Sequence, residues 1–174
     1  MDGATSAVIG AAIGALGGLT GGWFTVLGQR SQHRAEQDRW QKEMRRQAYT
    51  NYIAVTKQLS AAQWRMSSCL WHEPLPDQWE AAFREVHDAW AEFSSAAAAV
   101  TVAGPRTAAD AADVVRTAMS DIQDSAMAWL TAAREAGHGQ LEDFNSRFTS
   151  AAKAKRKPDK DFQAAARAAL DAET

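Results

Sequence analysis

The sequence predicts an all-α protein, and three observations carry that expectation. Alanine is abundant while β-branched residues are sparse, and only four prolines interrupt 174 residues. Apolar side chains also recur at spacings of three and four along most of the chain. The architecture expected is a single N-terminal transmembrane helix continuing into a long stalk helix and an antiparallel three- to four-helix bundle. Its segments are a short extracytoplasmic N-terminus (1–6), the transmembrane helix (7–28), a charged helical stalk (29–47), a cytoplasmic helical bundle (48–157) and a loosely attached C-terminal short helix (158–174).

The span rests on "AVIGAAIGALGGLTGGWFTVLG", Ala7 to Gly28, which holds seven of the eleven glycines and no charge. A phosphate loop would need Lys-Ser or Lys-Thr after its last glycine, and a solvated linker would not interleave Val, Ile, Leu, Trp and Phe. A secretory signal begins with a basic leader, whereas this leader is "MDGATS". A membrane helix fits better: 22 residues cover roughly 33 Å, and lipid forces the backbone to bond internally despite the glycines. Arg30, Arg34, Arg39, Lys42, Arg45 and Arg46 follow the span and no Lys or Arg precedes it. That asymmetry predicts a plasma-membrane protein with its N-terminus outside and its C-terminal domain cytoplasmic. Gly10, Gly14, Gly18 and Gly22 fall every fourth residue, a spacing that lets two such helices approach closely.

Neither Gly nor Pro occurs from Gln29 to Glu73, so one helix can run through the stalk into the bundle. Its inward face should be Tyr52, Val55, Leu59, Ala62, Met66 and Cys69. Pro74 and Pro76 break it, and Asp77 with Glu80 reads as a capping box for a second helix with the stripe Trp79, Phe83, Val86, Trp90, Phe93, Ala97 and Val100. After "AGPR", Thr107 with Asp110 should cap a third helix that turns Ala111, Val115, Ala118, Ile122, Ala126, Trp129 and Ala133 inward. "GHG" ends it. A fourth helix, Gln140 to Lys157, carries Leu141, Phe144, Phe148 and Ala152, and Pro158 interrupts before Phe162, Ala166, Ala169 and Leu170.

The chain offers little to chemistry. A formal net charge of −2 argues for no global nucleic-acid field. Cys69, the only cysteine, excludes an internal disulfide and a thiolate metal cluster. His33, His72, His87 and His138 form no paired-ligand pattern, and one Glu-x-x-His (Glu135, His138) is half of what a di-iron bundle needs. No catalytic, cofactor-binding or metal-binding residue is therefore assigned, and the expected function is non-enzymatic. Lys153, Lys155, Arg156 and Lys157 form a basic cluster, a candidate surface for a protein partner and a weaker one for nucleic acid. A descending fourth helix should bring that cluster level with about residue 56.

Three stretches together carry a resemblance: Arg46, Gln47, Ala48 and Tyr49 where the stalk enters the bundle, Val100 with Gly104 and Pro105 in mid-domain, and Phe162, Ala165, Ala166 and Arg167 near the end. In these the chain resembles small actinobacterial membrane-anchored all-helical proteins, including Streptomyces plasmid-transfer proteins of the KilB type. The resemblance implies a role in conjugative plasmid transfer; with the glycine spacing, the expected function is a scaffold or oligomerising module self-associated through the transmembrane helix or the bundle. Two other classes compete with it. One is a glycine-zipper membrane toxin or channel, and the other a membrane-anchored ligand sensor with a cavity between Trp79, Trp90 and Trp129.

Overall fold

The structure is a computed structural model that describes the backbone of residues 3–72 and 76–172 and the side chains of residues 36, 37, 39–72 and 76–172. Five helices make up the described residues: α1 (Gly3–His72), α2 (Pro76–Ala103), α3 (Arg106–Ala136), α4 (Glu142–Ala154) and α5 (Arg156–Asp171). The chain is all-α, as the composition predicts. It divides into two compact units, Met1–Glu43 and Met44–Thr174. In the first, the side chains of Glu36, Gln37, Arg39, Trp40 and Gln41 are exposed. No helix among the described residues is long and apolar enough to cross a membrane. The side chains of 7–28, with Gly10, Gly14, Gly18 and Gly22, lie outside the described residues, as do those of Arg30 and Arg34.

The second unit is a helical bundle. Side-chain pairs set its directions. Arg45 meets Ala103, Arg65 meets Glu85, and Arg134 meets Glu80, so α2 runs against both α1 and α3. Tyr52 bonds to Ala112 and Trp71 packs on Trp129, so α3 runs with α1. Trp64 touches Phe148 and Tyr52 touches Phe162, so α4 and α5 descend as one interrupted column against α1. Four columns thus alternate up and down around one apolar core.

The core takes Tyr49, Tyr52, Leu59, Ala62, Met66 and Leu70 from α1, and Trp79, Val86, Phe93 and Val100 from α2. Cys69 is half-buried at its edge, and Leu70 is the fully buried residue there. On α3 the buried positions are Ala108, Ala112, Val115, Met119, Ile122, Ala126, Trp129, Leu130 and Ala133. Ala112 and Met119 replace the expected Ala111 and Ala118, which are half-buried. The other five expected positions are buried; where alanines flank the seam on both sides, the larger Met119 takes the inward place from Ala118.

Two expected caps are replaced. α2 begins at Pro76, so Asp77 sits inside its first turn and Glu80 beyond it, where Glu80 pairs with Arg134. Proline at the first helical position loses no intrahelical bond. α3 begins at Arg106 after extended Pro105, whose carbonyl accepts from the amides of Ala108 and Ala109 at 3.0 and 3.1 Å. Thr107 and Asp110 therefore follow the cap rather than form it, and Asp110 lies 3.7 Å from Arg106.

The fourth column breaks three residues before Pro158. Continuing α4 would place the proline ring against the Ala154 carbonyl with no amide to bond it. The helix stops at Ala154 and restarts at Arg156, with Pro158 in the first turn, where its missing donor costs nothing. The segment expected to be loosely attached is docked instead, because Phe162, Ala166 and Ala169 are buried in the core.

The "GHG" break has two different glycines. Gly137 ends α3 at φ 72°, in the left-handed region, with open space where a Cβ would stand. Gly139 lies on α1, and a Cβ there would sit 1.7 Å from the Leu70 carbonyl oxygen. Its own carbonyl accepts from Trp129 Nε1 at 2.7 Å, so the loop and the two helices form one joint. Gly139→Ala should cost about 2–4 kcal/mol in urea unfolding followed by helicity, against about 1 kcal/mol for Gly137→Ala. Equal losses at the two positions would contradict this joint.

Candidate functional site

Of the basic residues after the apolar stretch, Arg39 and Lys42 belong to the first unit and Arg45 and Arg46 to the second. Arg39 and Arg46 are exposed. Arg45 is turned into the bundle, where its Nε donates to the Ala103 carbonyl at 2.8 Å. A guanidinium at that place satisfies one of the last carbonyls of α2 and sits at the negative end of its dipole. Arg45 thus serves the bundle fold, a role the charge pattern alone does not reveal.

Tyr49 lies one turn further on, with its hydroxyl buried and without a hydrogen-bond partner. Burial pushes its pKa up, and the nearby Arg45 pulls the other way. A Cβ on Gly104 would come within 2.7 Å of that hydroxyl, so glycine there admits the phenol. This ties Tyr49 of α1 to the Gly-Pro turn after α2.

The basic cluster lies at the α4–α5 break. Lys153, Arg156 and Lys157 are exposed and Lys155 is half-buried. Lys155 pairs with Asp159 at 2.7 Å, with side chains 12% and 28% exposed, and Lys157 pairs with Asp161 at 2.5 Å. Lys155 and Asp159 also line a small cavity of about 40 Å³ with Tyr52, Ile53, Thr56 and Phe162. The descending column therefore brings the cluster to the level of residue 56. Two of its four charges, Lys155 and Lys157, are matched by aspartates of α5, which leaves Lys153 and Arg156 as its other cations.

Of the three tryptophans expected to frame a ligand cavity, Trp79 and Trp129 are fully buried in the core and Trp90 is half-buried against Phe93. Trp129 holds ring contacts with Trp71 and Phe148. Among the described residues no group of three or more His, Cys, Asp or Glu side chains could hold a metal ion.

A surface absent from the sequence reading lies between α1 and the end of α2. Met44, Gln47, Ala48 and Asn51 face Ala99, Val102 and Ala103 across an open groove of about 470 Å³. Met44 is 42% exposed and Val102 88%. No single-helix stripe announces the groove, because it exists only once two helices meet.

The two ion pairs at the α4–α5 break should differ in weight. Asp159→Asn strands a half-buried ammonium and should cost about 1–2 kcal/mol of unfolding free energy. Asp161→Asn, at an exposed pair, should cost less than about 0.5 kcal/mol. Similar losses for both would show that Lys155 is no better shielded than Lys157.

Comparison of the chain with family models, characterised proteins and solved structures finds no match.

Proposed function

We propose that the chain is a non-enzymatic, single-pass plasma-membrane protein, anchored by residues 7–28 with its helical bundle in the cytoplasm, and that it works as an oligomerising scaffold in conjugative element transfer. The observation that carries the anchor is the uncharged run from Ala7 to Gly28 with every flanking Lys and Arg on its C-terminal side. Support for a scaffold comes from the use the bundle makes of its polar groups. Arg45, Tyr52 and Gln63 bond to carbonyls of other helices, and Lys155, at the α4–α5 break, pairs with Asp159 of α5. These contacts hold helices together and present no nucleophile beside a base. The transfer role rests on the resemblance at Arg46–Tyr49, Val100–Pro105 and Phe162–Arg167.

One observation favours a second reading. Glycine at every fourth position from Gly10 to Gly22 is also the pattern of a helix that assembles into a pore. Two measurements separate the readings. Alkaline carbonate should leave the full chain in the membrane fraction, and induced expression should leave the membrane potential intact. Release by carbonate would overturn the anchor. Rapid depolarisation, abolished by Gly14→Leu with Gly18→Leu, would overturn the scaffold in favour of the pore.

A further inference from the structure

We infer that two charged faces of the bundle dock copies of this chain side by side, the basic face of one on the acidic face of the next, an inference that rests on the membrane-anchored scaffold proposed above. Charge is segregated within the bundle. From Met44 to His72, α1 holds four Lys and Arg and no Asp or Glu, and Glu142 to Asp171 hold seven Lys and Arg against five Asp and Glu. α2 and α3 hold four Lys and Arg against ten Asp and Glu. One half thus carries eleven cations against five anions, a net +6, and the other a net −6. The unmatched charges fall in stripes. Lys153, Arg156, Lys160 and Arg167 are exposed at spacings of three, four and seven, and none of them is ion-paired among the described residues. Lys155 keeps right-handed helical angles at the break, so the four stay on one side of the column. Gln163 of that stripe lines a cavity with Lys57 of α1, so a fifth exposed cation adjoins them. On α3, Asp121, Asp124 and Glu135 are exposed at spacings of three and eleven and are likewise unpaired among the described residues, while Arg116 and Arg134 are tied to Asp113 and Glu80.

Complementarity selects the occupant. The two halves cancel, so the bundle projects no long-range field to draw in a polyanion such as DNA. At short range a basic stripe is matched by an acidic one, and this chain carries an acidic stripe of its own. The contact is heterologous: different residues meet from the two copies, and no charge faces its like. Heights agree as well. Ser60 lies against Met119 and Trp64 against Phe148, which sets Asp121 and Lys153 within about one helical turn of each other along the bundle. Copies standing in one bilayer therefore present the two stripes at one level. Exposed ion pairs are individually weak, and the raised effective concentration in a membrane makes a few of them sufficient.

The test reconstitutes the full chain in vesicles of neutral lipid, labelled at its C-terminus with donor or acceptor dye, and follows energy transfer between copies. Association should weaken several-fold from about 0.05 M to about 0.5 M salt. Lys153→Glu with Arg156→Glu, or Asp121→Lys with Asp124→Lys, should each weaken it about tenfold with the thermal melt unchanged. An equal mixture of the two double variants should restore it, because each then supplies the face that the other lacks. Association that ignores salt and both reversals overturns the docking and leaves the scaffold standing. Chains that stay in the vesicles yet never associate overturn the docking and the scaffold together. A basic face that binds duplex DNA, with a mixture that restores nothing, overturns the docking in favour of nucleic acid. Release of the chain by carbonate overturns the anchor and the docking with it.

Discussion

Tyr52 is the residue on which the bundle depends. Its ring stands 5.4 Å from Phe93 of α2 and 4.6 Å from Phe162 of α5, and its hydroxyl donates to the Ala112 carbonyl of α3 at 2.9 Å. One side chain of α1 therefore touches each of the other three columns. The apolar ring supplies area, and the hydroxyl bond removes the cost of burying an unpaired polar group. Tyr49 extends the same joint edge-on to Phe162, and Trp90 extends it to Phe93. The far end has a matching arrangement around Trp129, where Trp71, Phe148 and the Gly139 carbonyl converge.

Because the aromatics are committed to these joints, what remains for recognition is the outer surface. The α4–α5 break places Lys155 beside Tyr52 and Thr56 and leaves Lys153 and Arg156 pointing away. The opposite flank of α1 carries Met44, Gln47 and Asn51 next to the neutral end of α2. One flank is basic and the other apolar, so the bundle offers two chemically different faces built from the same central helix. Polar groups inside the core are bonded to carbonyls: Thr56 donates back to the Tyr52 carbonyl of its own helix at 2.6 Å, and Gln63 reaches across to the Met119 carbonyl of α3 at 3.4 Å.

Much of this was readable from residue spacing. The α1 face from Tyr52 to Met66 and the α2 stripe from Trp79 to Val100 are marked by large apolar side chains whose burial outweighs any local preference. α3 was harder, since alanines on several faces weaken the signal: Val115, Ile122, Ala126, Trp129 and Ala133 are buried as expected, while Ala112 and Met119 take the places of Ala111 and Ala118. Caps were less legible, because Pro76 and Pro105 start their helices by backbone geometry, which outweighs the side-chain oxygens of Asp77 and Thr107. Pro158 was visible as a breaker, but its effect falls on the carbonyl four residues earlier. Arg45 looked like its neighbours in a basic run, and only the approach of the α2 terminus gives it a separate role. The groove beside Val102 belongs to two helices and to neither alone.

The central role of Tyr52 can be tested by alkaline titration of phenolate absorbance alongside helicity. The chain has two tyrosines, Tyr49 and Tyr52, and both are buried. Burial raises both pKa values above the ordinary 10.0, and at Tyr52 the Asp159 carboxylate adds to the rise. Below that pH the folded and unfolded chains are equally protonated, so no stability is lost. Above it the unfolded chain releases protons that the folded chain holds, and stability falls as pH rises. Phenolate should therefore appear only together with loss of helicity. Phenolates that form near pH 10 while the helices persist would contradict the account.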